Sequence, residues 1–293
     1  MKNKYKFAVL GGDKRQRVIA RELLARGHSV GCFALGDIGF SVSGCETCAT
    51  VDKAMSGADI AVLPLPVTRD GKNLTSQSDK IELFEIVRLA QKNNTMILGG
   101  LLPSDFLEFC SNLNVEAVDY YKSESLQQKN ALPSAEGALM IAMEHTDITV
   151  YGMRALVTGY GRIGKILAEV LRSLGATVTV GARRDETLCE ISMSGLESVK
   201  VDSEILSTDA YDVIFNTVPS VIFTENTLKK LKNKPLYIEI ASVPGGVDMK
   251  AAREIGLEVI CAPSLPGKYS PVSAGKYVFE TISEILSERR IEI

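Results

Sequence analysis

Strand-like apolar runs alternate with helix-like patterns along nearly the whole of this 293-residue chain, in two successive series. The first series occupies 6–121 and the second 154–263, and a helical pattern over 274–290 follows. Strands that alternate with helices favour parallel βαβ units, in which helices cover both faces of the sheet. The sequence therefore predicts an α/β fold with two doubly wound domains and a cleft between them.

Charge and hydropathy exclude several function classes. The chain has 33 basic and 36 acidic residues, a net charge of −3, so no basic surplus points to nucleic acid or to an anionic membrane. No segment approaches the ~20 uninterrupted apolar residues of a membrane-spanning helix. The N-terminal apolar run is too short for a signal peptide. We therefore expect a soluble, cytoplasmic protein that binds neither nucleic acid nor a membrane.

Cysteine usage points to a reducing compartment. The six cysteines are scattered, and only Cys45 and Cys48 have C-x-x-C spacing. A zinc ribbon needs a second pair or histidines, and the chain has only His28 and His145, so we expect no metal site. We predict free thiols; the alternative is a redox pair formed by Cys45 and Cys48.

The strongest chemical signal is a glycine-rich turn between an apolar strand and an amphipathic helix. It has the G-x-G-x-x-G form of the dinucleotide fingerprint, and a second strand follows at 177–182. In this fingerprint the glycines permit the tight turn, the approach of a pyrophosphate and close helix packing, while the helix N-terminus attracts the anion. The alternative is a glycine turn that binds nothing. The predicted cofactor-binding residues are Gly159, Tyr160, Gly161, Arg162, Ile163 and Gly164.

The end of the second strand bears on which dinucleotide is bound. An NAD site usually has an acid there, whereas this chain has Arg183 and Arg184 before its first acid, Asp185. Paired guanidinium groups bind a 2′-phosphate through charge-assisted hydrogen bonds, which an acid would repel. We therefore predict NADP as the cofactor; the alternative is that the arginines form a solvated turn.

Three later strands end in turns typical of a ligand-binding sheet edge, and Pro263 and Pro266 bracket the end of the third. In doubly wound sheets, ligands bind at the carboxyl ends of the strands. The alternative is that these segments are only turns. The residues expected to line the cofactor are Asn216, Thr217, Val218, Pro219, Ala241 and Ser242.

Basic and hydroxyl side chains outside the fingerprint suit a small anionic substrate. Lys14 and Arg15 follow a glycine turn at the start of the first predicted helix, where a carboxylate would bind; an exposed basic helix start is the alternative. Lys268 and Ser270 lie in a turn-like segment, 265–273, before the last helix. In the joint, Ser134 is expected to cap a helix over 135–145.

Glu136 lies in the first turn of the helix expected over 135–145.

The two series of strands and helices define the expected domains. We predict an N-terminal flavodoxin-like or Rossmann-like substrate domain over 1–128, joined by the C-terminal helix 275–293. The expected NADP-binding Rossmann domain covers 129–274 and includes the interdomain helix.

Together these residues resemble the family of dipicolinate synthase A subunits from endospore-forming bacteria, over essentially the whole chain. The G-Y-G-x-x-G-K form, through Lys165, also resembles adenosylhomocysteinases. The two-domain plan resembles the D-2-hydroxyacid dehydrogenase arrangement, but no histidine follows His145, so the late catalytic histidine of that family is absent. The segments that carry the main resemblance are 11–16, 130–138, 159–164, 240–242, 244–246 and 265–268.

The resemblance implies NADP-dependent oxidation of dihydrodipicolinate to dipicolinate (pyridine-2,6-dicarboxylate), a lysine-pathway branch used during sporulation. It also implies the flavoprotein-like B subunit of dipicolinate synthase as partner and a mother-cell cytoplasmic location. For this reaction we expect Arg15, Lys14 and Lys268 to bind the carboxylates of a small dicarboxylate substrate. Glu136, or a water held by Ser134 and Ser270, would take the proton.

Two other functions remain open from the sequence. The chain is also compatible with an NADP-binding scaffold or regulatory subunit, with the redox step performed by the B subunit. The other alternative is a D-2-hydroxyacid-dehydrogenase-like oxidoreductase. A homo-oligomer is compatible with each of these functions.

Overall fold

A computed structural model describes residues 4–36, 43–201, 211–231 and 233–293. The chain forms two compact units. The first contains Met1–Asn130 with Ser270–Ile293, and the second contains Ala131–Tyr269. In its described part, each unit is built around a six-stranded sheet in which every pair of neighbouring strands is parallel.

The sheet of the first unit has the order β3-β2-β1-β4-β5-β6. Successive residues of its central strand pack on opposite faces: Phe7 and Val9 enter one apolar cluster, Ala8 and Leu10 the other. This near-continuous apolar run is typical of a parallel strand buried on both faces. The strands are β1 (Lys6–Leu10), β2 (Ser29–Phe33), β3 (Glu46–Thr47), β4 (Ile60–Val62), β5 (Met96–Gly99) and β6 (Ala117–Asp119).

Helices cover both faces of this sheet, and local capping explains several of their starts. Asp13 accepts a hydrogen bond from the Arg15 amide at the beginning of the first helix, and Thr50 accepts one from the Lys53 amide at the second. These helices are α1 (Lys14–Ala25), α2 (Val51–Met55), α3 (Leu83–Asn93) and α4 (Ser104–Asn112). A 3₁₀ turn, Tyr120–Lys122, follows β6.

The helix α5 (Glu124–His145) corrects one prediction. It begins eleven residues before the expected start at 135, so Ser134 is not its cap and Glu136 is not in its first turn. Pro133 lies inside the helix, although proline lacks the amide that an interior position donates. Burial of Ala131, Ala135 and Ala138 favours a continuous helix here over the break that proline predicts.

The sheet of the second unit has the order β12-β11-β10-β7-β8-β9. Counted along the chain within this unit, the strands run outward in both directions from β7, and the order reverses between β7 and β10, as in the doubly wound fold. The α/β fold with two doubly wound, Rossmann-like units is therefore confirmed. The strands are β7 (Arg154–Thr158), β8 (Thr177–Ala182), β9 (Glu197–Lys200), β10 (Val213–Asn216), β11 (Leu236–Glu239) and β12 (Val259–Cys261).

Helices of the second unit pack on both faces of its sheet. The clusters divide β7 by alternation, with Ala155 and Val157 on one face and Leu156 on the other. Residues 265–269 form a short helix, whereas the sequence predicted a turn there. Burial of Leu265, Pro266 and Gly267 accounts for that difference. The helices are α6 (Arg162–Ser173), α7 (Asp185–Met193), α8 (Glu225–Lys229), α9 (Met249–Glu254) and α10 (Leu265–Tyr269).

The last helix, α11 (Pro271–Glu288), belongs to the first unit and packs against α1. A Cβ atom on Gly275 would lie 2.7 Å from the Cβ of Val18, so glycine permits the close approach of the two helices. Within the described ranges, no helix is both long enough and apolar enough to span a membrane.

The cysteine prediction is wrong for two of the six residues. Cys32 and Cys45 form a disulfide, rather than remaining thiols, and Cys48 is a free, buried thiol. The physical reason is strand pairing: β2 and β3 are neighbours, with Cys32 opposite Thr47, which places Cys45 beside β2. The C-x-x-C pair, Cys45 with Cys48, is therefore not the bonded pair.

Candidate dinucleotide site

The glycine turn after β7 has the geometry that the fingerprint requires. Gly159 has φ +94°, and a Cβ atom there would lie 2.3 Å from Thr217 Oγ1. At Gly164 a Cβ atom would lie 2.1 Å from the carbonyl oxygen of Gly159. Both positions therefore exclude any side chain, because these distances are far below van der Waals contact.

Gly161 has a different surrounding. No atom lies within 4 Å of the position its Cβ would take, so the backbone faces open space. Gly161 is also the N-cap of α6 and brings no side chain to the first turn, which contains no acid. Amides at such a helix start, together with the helix dipole, bind a phosphate group. This cradle fits a dinucleotide pyrophosphate.

A cavity of about 490 Å³ lies beside this turn. Its volume falls in the range of small-molecule binding sites. Its lining combines apolar side chains with two arginines, which suits a ligand with a flat ring and phosphate groups. The cavity is lined by Gly159, Tyr160, Gly161, Gly181, Ala182, Arg183, Arg184, Thr187, Val201, Val218 and Ile222.

Arg183 and Arg184 follow the tip of β8 and are exposed. Neither guanidinium forms an ion pair or a hydrogen bond with the described residues, so both charges face the cavity and solvent. Asp185, the first acid after the strand, is paired with Lys200, whose Nζ lies 2.7 Å from Oδ1. The strand tip thus presents positive charge to a ligand.

A row of hydrogen-bonded polar side chains lies at the carboxyl ends of β7, β10 and β11. Thr158 is paired with Asn216 in the sheet register, and Asn216 is paired with Glu239. The Thr158 hydroxyl donates to Asn216 Oδ1 at 2.6 Å, and Asn216 Nδ2 donates to Glu239 Oε1 at 2.7 Å. Thr158 and Asn216 are 0% exposed and Glu239 is 7% exposed.

Asn216 lies at the centre of this row. Its Nδ2 also donates to the Val218 carbonyl at 2.9 Å, and its Oδ1 accepts the Val218 amide at 3.1 Å. The side chain is therefore fully engaged inside the unit and orients the turn that lines the cavity. The sequence analysis missed Thr158 and Glu239; an acid inside the apolar run 235–241 was the available signal.

The other predicted lining residues occupy two turns at the same sheet edge. Thr217 donates its hydroxyl to the Thr158 carbonyl at 2.8 Å, and Val218 lines the cavity. Pro219 is exposed. The Ala241 amide donates to Glu239 Oε1 at 3.1 Å, while Ser242 is exposed.

The remaining fingerprint residues lie at the start of α6. Tyr160 lines the cavity, and its hydroxyl lies 3.0 Å from Ser194 Oγ. Arg162 begins α6 and is exposed, and Ile163 is half-buried. Lys165 lies over the Tyr160 ring, with Nζ 5.1 Å from the ring centroid, and pairs with Glu190. These contacts fix the tyrosine at the cavity wall.

In the first unit, the expected anion site at α1 already holds a carboxylate of the chain itself. Asp13 caps the helix and pairs with Arg15, whose Nε lies 2.9 Å from Oδ1. Arg15 is buried and also donates to the Leu65 carbonyl. Burial tends to raise the pKa of Asp13, but the hydrogen bonds and charge of Arg15 outweigh it and hold that pKa below its usual value.

The glycine turn before α1 is also covered. The Gly12 amide donates to the Thr75 carbonyl at 2.7 Å, and a Cβ on Gly11 would lie 2.7 Å from that same oxygen. The covering segment is ordered by Asp70, which accepts the Lys72 and Asn73 amides at 2.9 and 2.7 Å. Unlike Gly161, this turn does not present open backbone to a ligand.

The residues expected to act on substrate are distributed over both units. Arg15, exposed Lys14 and half-buried Ser270 belong to the first unit. Ser134 is buried and Glu136 is exposed on α5, in the second unit. Lys268, also in the second unit, is exposed and lies with Nζ 4.8 Å from the Tyr269 ring centroid; a hydrogen bond to Tyr269 and its charge raise the pKa of Lys268.

The two parts of the chain match two different family models. Residues 6–121 match the family model described as the N-terminal domain of the dipicolinate synthase A subunit. Residues 135–264 match the NAD binding domain of S-adenosyl-L-homocysteine hydrolase. The second match confirms a nicotinamide dinucleotide domain, and it does not distinguish NAD from NADP.

Full-length relatives agree with these matches. The chain is 29% identical over 290 residues to the dipicolinate synthase A subunit of Bacillus subtilis (strain 168), covering 98% of this chain and 97% of the relative. The crystal structure of the dipicolinate synthase A subunit from Bacillus halodurans has a TM-score of 0.84 at 27% identity, covering 97% and 98%. A transhydrogenase structure from Sinorhizobium meliloti, at 12% identity and TM-score 0.67, covers 94% and 88% and shares the fold.

Proposed function

We propose that this chain, which is 29% identical over 98% of its length to a dipicolinate synthase A subunit, catalyses NADP-dependent oxidation of dihydrodipicolinate to pyridine-2,6-dicarboxylate together with the B subunit. The observation that carries this proposal is the open glycine cradle beside two unpaired arginines. A dinucleotide with a 2′-phosphate is the ligand that uses both features.

The arginines support NADP over NAD. The tip of β8 is Ala182, so no carboxylate is available there to bond the ribose hydroxyls of NAD. Arg183 and Arg184 line the same cavity and carry no counter-charge from the described residues. A guanidinium binds phosphate oxygens through two parallel charge-assisted bonds. This geometry favours the extra phosphate of NADP.

The reaction removes two electrons and two protons from the dihydropyridine ring, as one hydride and one proton. Bound NADP⁺ supplies the hydride acceptor. The chain supplies the dinucleotide cradle and the charges that hold a dianionic substrate. A base of the protein, or a water, takes the proton.

Arg15, Lys14 and Lys268 remain the proposed carboxylate-binding residues. The ion pair of Arg15 with Asp13 uses Nε and Nη2, and no hydrogen bond joins Nη1 to the described residues. Lys14 and Lys268 are exposed, and Lys268 Nζ lies 4.8 Å from the Tyr269 ring centroid. In the first unit a carboxylate would be bound by the Arg15 guanidinium and by Lys14, and in the second unit by Lys268.

Glu136 is the proposed base. Its exposed carboxylate lies on α5, next to Gly137, where the helix packs closely on Leu265 and Tyr269. The rival proton path uses a water held by Ser134 and Ser270.

The experiment that tests this function compares the purified chain alone and with the B subunit, supplied with dihydrodipicolinate and NADP⁺. Formation of NADPH in step with dipicolinate supports the proposal. Dipicolinate that forms while NADP⁺ stays unreduced contradicts it. Full activity from complexes that carry Gly161→Val in this chain would instead favour a scaffold role, with the redox step in the B subunit.

A further inference from the structure

Glu239 is a buried carboxylate that the proposed reaction does not use. It ends β11, and it is 7% exposed. Its two oxygens accept three N–H groups: Asn216 Nδ2 at 2.7 Å and the Ala241 amide at 3.1 Å on Oε1, and the Gly246 amide at 2.7 Å on Oε2. No lysine, arginine or histidine of the described residues forms an ion pair with it.

The donors around this group suit an ionised carboxylate. A carboxylate accepts hydrogen bonds on both oxygens, whereas a protonated acid uses one oxygen as a donor. The three N–H groups are all donated to Glu239, so its oxygens are held by amides rather than by a cation. A buried charge without a counter-ion is costly and is typical of a functional region.

Glu239 is also linked to two segments that line the cavity, in each case by hydrogen bonds through one other residue. Through Asn216 it fixes Val218, which lines the cavity. Through Gly246 it fixes Ile222, because the Gly246 carbonyl accepts the Ile222 amide at 2.9 Å. A Cβ on Gly246 would lie 2.2 Å from Asn216 Nδ2, so the two turns meet too closely for a side chain.

The strand order indicates which part of the cofactor lies near this carboxylate. In the doubly wound fold, the glycine turn and the strand that follows its helix bind one nucleotide, and the other half of the sheet binds the second. Here Arg183 marks the first half, with β7, β8 and β9. Glu239 lies in the second half, with β10, β11 and β12, and in the doubly wound fold that half binds the nicotinamide nucleotide.

We infer that Glu239 is a positioning residue for the nicotinamide nucleotide, holding the turns at 216–218 and 241–246 and favouring the oxidised, positively charged ring. This inference rests on the proposed dinucleotide function. The oxidised ring carries a positive charge that the reduced ring lacks. A fixed negative charge in a partly desolvated site therefore stabilises the oxidised form selectively.

Binding of NADP⁺ and of NADPH, measured separately by calorimetry, tests both parts of the inference. In the natural chain, NADP⁺ should bind more tightly than NADPH. Glu239→Gln should weaken the binding of NADP⁺ more than the binding of NADPH, changing the ratio of the two affinities by roughly fivefold to tenfold. Thr158→Val removes the hydroxyl that orients Asn216 but keeps the charge, so it should weaken both forms about equally. Glu254→Gln, an exposed carboxylate on α9, is the matched control and should change neither affinity.

The outcomes separate the inference from the function on which it rests. If the natural chain binds neither NADP⁺ nor NADPH, the proposed dinucleotide function is wrong. A natural chain that binds NADPH more tightly than NADP⁺ overturns the charge effect, even if Glu239→Gln does not fold. Unchanged affinity of Thr158→Val for both forms overturns the positioning role. An unchanged ratio in folded Glu239→Gln, checked by circular dichroism, overturns the charge effect as well.

Discussion

Arg15 and Asp13 form a two-nitrogen ion pair at the beginning of α1, with Nε 2.9 Å from Oδ1 and Nη2 2.8 Å from Oδ2. The carboxylate caps the helix in the same place where an external anion would bind. The guanidinium is thereby fixed, because its nitrogens are shared between Asp13 and the Leu65 carbonyl. Arg15 is a rigid group, unlike its exposed neighbour Lys14.

This pair predicts a loss of stability in acid. Since the folded-state pKa of Asp13 lies below its usual 3.8, its ionised form stabilises the fold. That contribution is complete above the unfolded-state value and disappears as the pH falls through the folded-state value. Asp13→Asn should cost about 1–3 kcal/mol at neutral pH. Urea unfolding of both proteins at neutral pH and at pH near 3 measures the free energy of unfolding that the substitution removes. This loss should be smaller in acid, and an equal loss at the two pH values would contradict the pair's role.

The glycines of the second unit should respond differently to the same change. Gly164→Ala should destabilise the fold by about 1–3 kcal/mol or more, because its Cβ would meet the Gly159 carbonyl at 2.1 Å. Gly161→Ala should leave the thermal midpoint nearly unchanged, because its Cβ meets open space. Its methyl group occupies the pyrophosphate cradle, so we expect weaker dinucleotide binding. Thermal unfolding with binding calorimetry checks both variants, and normal binding by Gly161→Ala would remove this turn from the site.

Cofactor preference should depend on the arginine pair. Arg183→Asp should weaken NADP⁺ by roughly tenfold to a hundredfold, since a charge-assisted bond contributes about 1.5–3 kcal/mol, and should leave NAD⁺ affinity unchanged or improved. Arg253→Asp, an exposed site on α9, provides the same charge change away from the cavity. An NADP⁺ preference that survives in Arg183→Asp and in Arg184→Asp would refute the assignment.

Proton removal by Glu136 gives a further test. Glu136→Gln should lower turnover with dihydrodipicolinate by at least tenfold while leaving NADP⁺ affinity intact, because a positioned base contributes about a hundredfold or more. Glu144→Gln changes another exposed carboxylate on the same helix and should retain activity. Unimpaired turnover by Glu136→Gln assigns the proton to the water held by the two serines.

The cysteines can be distinguished by their reactivity. In the native, non-reduced protein, a thiol reagent should label the exposed Cys189 and Cys261. Cys48 and Cys110 should react only after unfolding, because both are buried, and burial raises the pKa of Cys110 to about 11. Cys32 and Cys45 should react only after reduction. Peptide mapping by mass spectrometry identifies each group, and native labelling of Cys45 before reduction would contradict the bond.

Local patterns in the sequence were sufficient for the sheets and for the glycine turn. Apolar runs such as 154–158 identify buried parallel strands, and the fingerprint depends on a few neighbouring residues whose roles follow from backbone geometry. The helix start at 135 was wrong because burial of one face of α5 overrides the break expected at Pro133.

Other features depend on contacts between distant strands. Glu239 meets Asn216 across 23 positions of sequence, and Cys32 meets Cys45 because β2 and β3 pair. No local rule encodes such pairings. The segment over Gly12 is a third case, since Thr75 reaches the turn from 63 positions away along the chain.

That covered turn has a consequence for stoichiometry. The two units repeat the same strand order, yet among the described residues the glycine turn is open in the second unit, while in the first the Gly12 amide is already bonded to Thr75. Although the fold occurs twice, the chain therefore has one dinucleotide site. Titration with NADP⁺ should saturate at one equivalent per polypeptide, and the sheet edge of the first unit remains available for a smaller ligand.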